Sequence, residues 1–519
     1  MPVFRRVLRS PLTVPSVLLG GVLTVFYGLS AATRVAGGDW GQFQTFGYLG
    51  GIPHPPGYPL LTGSIHLANH AALPVRRLAH RLTGVEDFAD PAHVANVVNA
   101  GYAVAAGVAL FVVTAVLARS RLAGLLATVV FTTGFSIWAH AAQAGAMSLQ
   151  TLIVVVLVGA LVAYDDRPSV VRLAAVGFAT GLSLTNHGVS LFMLPATAAF
   201  VASRRFPGVA RPRTLATVAG AIGVGLLPWI YVIRGLFVPV ATRYPDNVAR
   251  LGVDEIVHMV VGRPFERVSD VRTINTPIDD GGFAFLQQWT VLADHALREF
   301  GWGWLALAVL GWVVLARQRA RLAVWVAWTG LVTIWFALAS MPMFDGVRYF
   351  AVIYALLAIC LAVAVGWLLR WVEPTVKRFA PAFARSAVLA AGLLVVLAAG
   401  LRVQQQFAGE ARSHIVELRE EAEKQSDVGL GLMRRMAPGS VYMTDWTSSW
   451  YTRYAAIRED DRGIRIQTAD YWRMGFDDAA EILASGRRLY LQRTSPEYEA
   501  AYTVEPRWGV IYEVLPAKS

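Results

Sequence analysis

About eleven runs of mostly apolar residues divide this chain, at residues 11–33, 93–118, 121–138, 147–164, 170–186, 188–203, 213–236, 301–316, 322–340, 349–370 and 386–402. Most approach the ~20 helical residues that a hydrocarbon core of ~30 Å requires. Recurrence on this scale constrains the fold more than any motif does, and it predicts a polytopic α-helical membrane protein. Composition agrees: 55% hydrophobic and only 16% charged residues in 519, with a mean hydropathy of +0.48, are too apolar for a soluble globular chain of that length. The first run is too long for the core of a secretion signal and arginines precede it. It is read as an anchor, although its "SAATRVAGG" end resembles a cleavage site.

A net charge of +11 would suit a nucleic-acid partner, but its distribution does not. With the N-terminus taken as cytoplasmic, the inner segments around Arg5, Arg119, Arg167, Arg204, Arg319 and Lys377 carry 18 basic groups against three acids, Asp165, Asp166 and Glu373. That side is more positive than the whole chain, so all other segments sum to a negative charge. This is the positive-inside pattern. The expectation is an integral protein of a bacterial plasma membrane, contacting membrane lipids and no nucleic acid, with its N-terminus cytoplasmic and its C-terminus extracytoplasmic. The single cysteine, Cys360, lies inside an apolar run and forms no intrachain disulfide.

The runs divide the chain into a membrane domain over residues 1–402, a charged helical linker over 403–438 and an extracytoplasmic α/β domain over 439–519. Two sizeable outer loops, 35–90 and 237–300, interrupt the membrane domain. In the tail, "GSVYMTDW", "GIRIQTAD", "RRLYLQRT" and "GVIYEVLP" read as strands, separated by helices near Ser448–Arg458 and Asp477–Ala484.

This topology sets Asp39 and His54, Gln143, Asn186 and His187, Arg234, and Asp345 and Arg348 at one membrane surface, the outer one. Each has an ordinary reading taken singly: His187 as a loop residue, Gln143 as a helix cap, Arg234 and Arg348 as snorkelling cations. Five separate parts of the chain meeting at one level favour a shared polar cavity, since such groups at membrane depth line substrate paths. The "HPPGYP" turn, with Pro55, Pro56 and Pro59 fixing φ, bends the chain into an interfacial helix. It also holds His54 and Tyr58 near Asp39 at low entropic cost.

"DWGQF" with "LGGIPHPPGYPL", then "GLSLTNHGVSLFMLP", "LLPWIYVIRG" and "SVYMTDWTSSWYTRYAAIREDDRGIRIQ" resemble a family of multi-spanning proteins once catalogued as a domain of unknown function. That family is related to the protein O-mannosyltransferases of the GT-C superfamily. The similarity covers most of the membrane region and continues, more weakly, into the tail. It implies a GT-C-like fold and a glycosyltransferase of the inverting type that moves a sugar, mannose in the named relatives, from a polyprenyl-phosphate donor to a hydroxyl of an extracytoplasmic protein or glycan.

The resemblance assigns Asp39 as catalytic base. Chemistry agrees, because inverting transfer needs a carboxylate to take the acceptor proton and donors to stabilise the departing phosphate. His54, His187, Arg234 and Arg348 are candidates for the second role, Arg being suited to bidentate phosphate contacts. Gln42, Tyr58 and Asn186 complete the expected substrate-binding set. Two positions depart from the family pattern: Gln42 replaces a Glu, and Gly145 stands where relatives often carry another. Asp39 is then the only motif carboxylate, and neither a metal nor an organic cofactor is expected. A polytopic transporter or lipid flippase is the alternative, for which broken helices in corresponding halves would be expected, and a scaffold with an outer sensing domain is a third reading. The sequence shows no such breaks.

Overall fold

Inside a bilayer every backbone amide must find its partner within its own segment, and the apolar runs are helical wherever the structure describes them. The computed structural model describes residues 11–83, 90–204, 206–242, 244–262, 283–340, 349–379, 409, 412–458, 462–469, 474–509 and 511–516. The run at 386–402 lies outside the described residues, as do Asp345 and Arg348.

The helices follow in order: α1 (Thr13–Ser30), α2 (Gly38–Leu49), α3 (Pro59–Thr83), α4 (Pro91–Ala118), α5 (Arg121–Thr132), α6 (Phe135–Ala142), α7 (Ala146–Asp166), α8 (Val170–Ser183), α9 (Leu194–Ser203) and α10 (Pro212–Leu226), then α11 (Phe283–Gln318), α12 (Ala320–Ser340) and α13 (Phe350–Phe379). Among the described residues seven helices are long and apolar enough to cross a membrane, or eight if the bent pair α5 and α6 counts as one span. The runs at 170–186 and 188–203 form shorter helices: fourteen residues in α8 rise only ~21 Å.

The 121–138 run reads as one continuous segment, but the chain turns by 59° between α5 and α6. Gly134 caps α6 with no side chain, and Glu299 of α11 supplies the missing acceptor, taking the Ser136 amide at 2.9 Å and its hydroxyl at 2.6 Å. The break falls on the short Thr132-Thr133-Gly134 stretch, which the apolar residues on either side mask in a hydropathy reading.

Helix α4 is the hub, packed against α1, α2, α5, α7 and α13. Close approach depends on small residues. A Cβ on Gly311 of α11 would run into the Cys360 carbonyl of α13, and one on Gly124 of α5 would sit 2.8 Å from the Ala115 amide of α4.

The segment after α10 carries a hairpin, β1 (Val240–Thr242) and β2 (Tyr244–Ala249), bridged to Ile52 in the segment between α2 and α3. A helix over 412–435, α14, leads to the C-terminal unit. Its elements are β3 (Val441–Thr444), α15 (Trp446–Arg458), β4 (Arg465–Thr468), α16 (Phe476–Ala484), β5 (Leu489–Leu491), α17 (Pro496–Ala501), β6 (Thr503–Trp508) and β7 (Ile511–Leu515). The strand order is β4-β3-β5-β7-β6, with β3 parallel to both neighbours and β7 antiparallel to both of its own. Four strands lie where the sequence puts them. The fifth, β6, carries Glu505, Pro506 and Arg507 at a sheet edge, where a missing N–H is tolerated, and no apolar alternation marks it.

Candidate active site

Asp39 owes its position to two glycines. Gly37 caps α2 in an extended conformation and Gly38 takes φ +61, which an L side chain adopts only at a cost. The chain then turns into α2 with Asp39 in its first turn. There the positive end of the helix dipole is complementary to an acidic side chain.

The approach to this turn is pinned by buried amides. Gln44 Oε1 accepts the Ala36 amide at 2.9 Å, and Gln44 Nε2 donates to Asn96 Oδ1 at 2.8 Å. That oxygen also takes the Ala144 amide at 2.8 Å, while Asn96 Nδ2 donates to the Ala32 carbonyl at 2.7 Å. One turn on, Asn99 donates to the Gln143 carbonyl at 2.6 Å. From α14, Gln425 Oε1 accepts the Gly37 amide at 2.8 Å.

One turn along α2, Gln42 is fully buried and its Oε1 accepts from both the backbone amide and Nδ1 of His54. This fixes the tautomer: the His54 proton sits on Nδ1, and the Nε2 lone pair faces the Tyr58 hydroxyl at 3.3 Å. Tyr58 is held at φ +42, a left-handed conformation that tyrosine rarely adopts and that costs ~1–3 kcal/mol. Its ring lies 4.9 Å from Phe43 and 6.0 Å from His187. His187 Nδ1 accepts the Val189 amide at 3.2 Å, which leaves the Nε2 proton facing the Tyr349 hydroxyl at 3.3 Å. Asn186 donates to the Ala146 carbonyl at 3.0 Å and to Gln150 Oε1 at 3.1 Å, and its own buried Oδ1 has no partner among the described residues.

The structure thus brings Gln42, His54, Tyr58 and His187 into one chain of contacts beside the α2 turn that bears Asp39, with Asn186 next to His187. Both departures from the family pattern lie here as well: Gln42 is one turn from Asp39, and a Cβ on Gly145 would sit 3.6 Å from the Trp40 ring. Arg348 lies outside the described residues, but its neighbour Tyr349 packs on His187 at 5.3 Å. Among the described residues no three His, Cys, Asp or Glu side chains come together as a metal site would require.

Arg234 sits elsewhere. It donates from Nε to the Tyr231 carbonyl at 2.9 Å and from Nη2 to the Gly50 carbonyl, and it lies over the Tyr231 ring at 4.2 Å. Gly50 caps the far end of α2, eleven residues and ~16 Å along the helix from Asp39. Arg234→Ala is therefore expected to lower thermal stability, by ~1.5–3 kcal/mol for lost charged hydrogen bonds, and to leave affinity for a lipid phosphate unchanged in the folded fraction. A selective loss of that affinity at unchanged stability would return Arg234 to the site.

The C-terminal unit supplies the roof. Trp450 of α15 is fully buried against Phe46 at 5.5 Å, and α2 admits it because Gly41 has no side chain: a Cβ there would lie 2.8 Å from that of Trp450. Trp446, part-exposed, turns its edge to His54 at 6.5 Å. Tyr454 donates to Asp90 at 2.6 Å, and burial first, the Asp90 carboxylate second, hold its hydroxyl well above the ordinary tyrosine range. Asp445 caps α15 through the Ser448 amide at 2.8 Å and pairs with Arg493 at 3.3 Å. Gln44, Asn96, Asn99 and Tyr349 lie in no motif, and Trp446 lies in the "SVYMTDW" stretch with nothing to single it out. The one available signal is a pair of asparagines at helical spacing within an apolar run, "NVVN".

A polytopic helical bundle with this glycine turn and a docked C-terminal sheet has the GT-C-like fold. ArnT from Cupriavidus metallidurans bound to undecaprenyl phosphate superposes with a TM-score of 0.53 at 14% identity, covering 96% of this chain and 97% of that one. Its apo form gives 0.52 at 16%, covering 97% and 98%. The Archaeoglobus fulgidus oligosaccharyltransferase, in complex with Zn and sulfate, gives 0.52 at 13%, covering 92% of this chain and 67% of that one.

In sequence, residues 39–209 match the model of the protein O-mannosyl-transferase TMEM260 N-terminal domain, a match that begins at Asp39. Protein O-mannosyl-transferase TMEM260 of Mus musculus is 27% identical over 222 residues, 42% of this chain and 30% of the mouse protein. The chain thus aligns with about a third of that relative's length.

Proposed function

We propose that the chain is a membrane glycosyltransferase that moves a sugar, mannose by likeness to the named relative, from a polyprenyl phosphate to a hydroxyl of a protein or glycan. The observation that carries this reading is Asp39: a part-exposed carboxylate at a helix N-terminus, beside a fixed His54–Tyr58–His187 chain, at the first residue of the family match. In the proposed step the acceptor oxygen attacks the anomeric carbon and its proton passes to Asp39. The bond from that carbon to the phosphate oxygen breaks, and its electron pair leaves on the lipid phosphate. Nε2–H of His187 and the Tyr349 hydroxyl supply donors for that charge, and Arg348, outside the described residues, is assigned the same role by its sequence. No cofactor takes part.

Trp446 offers a part-exposed aromatic face next to His54. We assign it to the acceptor or sugar side, which places the C-terminal unit, like Asp39, outside the cytoplasm. Support for a lipid donor comes from the undecaprenyl phosphate bound by ArnT, a protein of the same fold. The test is transfer by the purified protein in nanodiscs from polyprenyl-phosphate mannose to a Ser/Thr peptide or a glycan, with the anomeric configuration read by NMR. Inverted product is expected. Donor binding without transfer to either acceptor class would contradict the assignment.

A further inference from the structure

At the opposite end of α4 and α7 from Asp39, a groove of about 380 Å³ opens between the two helices and the start of α8. Its wall is Val112, Val113, Val116 and Val162, and Gly159 forms its floor: a Cβ there would stand 3.1 Å from Val113. Twenty residues of α4 separate Asn96, beside the site, from Val116, a distance of ~30 Å. The groove is therefore independent of the chemistry at Asp39.

The rim is cationic. Asp165 is shared by Arg204, Arg319 and Arg321, each at 3.4 Å, and Asp166 is neutralised by Arg319 at 2.5 Å. That leaves Arg167 at the rim with no ion pair among the described residues. Arg172 spends Nη1 on the carbonyls of Ala163 and Arg167, at 3.0 and 2.9 Å, and these bonds aim its guanidinium at the same rim. An apolar trough between two helices long and apolar enough to span a membrane, ending in Arg167 and the oriented guanidinium of Arg172, is complementary to an acyl chain joined to a phosphate.

We propose that this groove binds one anionic glycerophospholipid, an acyl chain along the valine wall and its phosphate on Arg167 and Arg172. Val116 is 47% exposed at the mouth, so a larger side chain there blocks entry without disturbing the core.

The test is native mass spectrometry of the full chain released from nanodiscs of phosphatidylglycerol and phosphatidylcholine in equal amounts. The wild type is expected to keep one phosphatidylglycerol per chain, with a preference of about thirtyfold over phosphatidylcholine for two interfacial arginines. Arg167→Gln should remove most of that preference. Val116→Trp should abolish retention of both lipids while thermal unfolding stays unchanged. No retained lipid in the wild type, equal retention of the two headgroups, or retention unaffected by both variants would overturn the proposal. So would a retained polyprenyl phosphate, identified by mass, in place of the phospholipid.

Discussion

Asp39→Asn is expected to slow sugar transfer by ~10²–10⁴-fold, the range over which a positioned base contributes, while expression and donor binding survive. The amide has the size of the carboxylate but cannot take the acceptor proton. Weakening the interaction with the helix end at a part-exposed position should cost no more than ~1 kcal/mol of stability. Single-turnover transfer from polyprenyl-phosphate mannose, measured beside thermal unfolding in detergent, separates the two effects. An Asn variant with full activity would remove Asp39 as the base.

Trp450→Ala should have the largest effect on the fold, ~3–5 kcal/mol for a fully buried indole. Its ring packs on Phe46 of α2, so truncation loosens α15 from α2 and with it the turn that carries Asp39. Limited proteolysis should then cut near α14 in the variant and spare the wild type, and Trp450→Phe should recover most of the loss. A variant with unchanged melting and an uncut linker would mean that the C-terminal unit does not support α2. Because α15 packs directly on α2, removing residues 439–519 would damage the site itself. Point substitutions at Trp446 are the cleaner probe of acceptor binding.

Much of this was legible in the sequence for physical reasons. A bilayer forces long apolar runs, so nearly every helix of the bundle shows in composition. Asp39, His54 and Tyr58 stood out because glycine and proline at fixed positions mark a rigid turn. What composition leaves open is direction. Arg234 sits at the end of its span, as its position suggests, yet it clamps the far end of α2, because the level of a residue in the membrane says nothing of which neighbour it meets. The break between α5 and α6 was read through, since its only local mark is the short Thr132-Thr133-Gly134 stretch and its cap comes from Glu299, 163 residues away. The polar spine of Gln44, Asn96 and Asn99 was also hidden, because single amides within apolar runs read as tolerated exceptions until their partners are known.

Density for the Asp39→Asn protein with a bound polyprenyl-phosphate sugar tests the central claim most directly. The account predicts the anomeric carbon on the side of residue 39, with room for one hydroxyl between them at a reacting distance of ~3–3.5 Å, and the phosphate near His187 and Tyr349. A phosphate bound at the Arg234 end of α2, ~16 Å away along the helix, or a sugar turned away from residue 39, would contradict it.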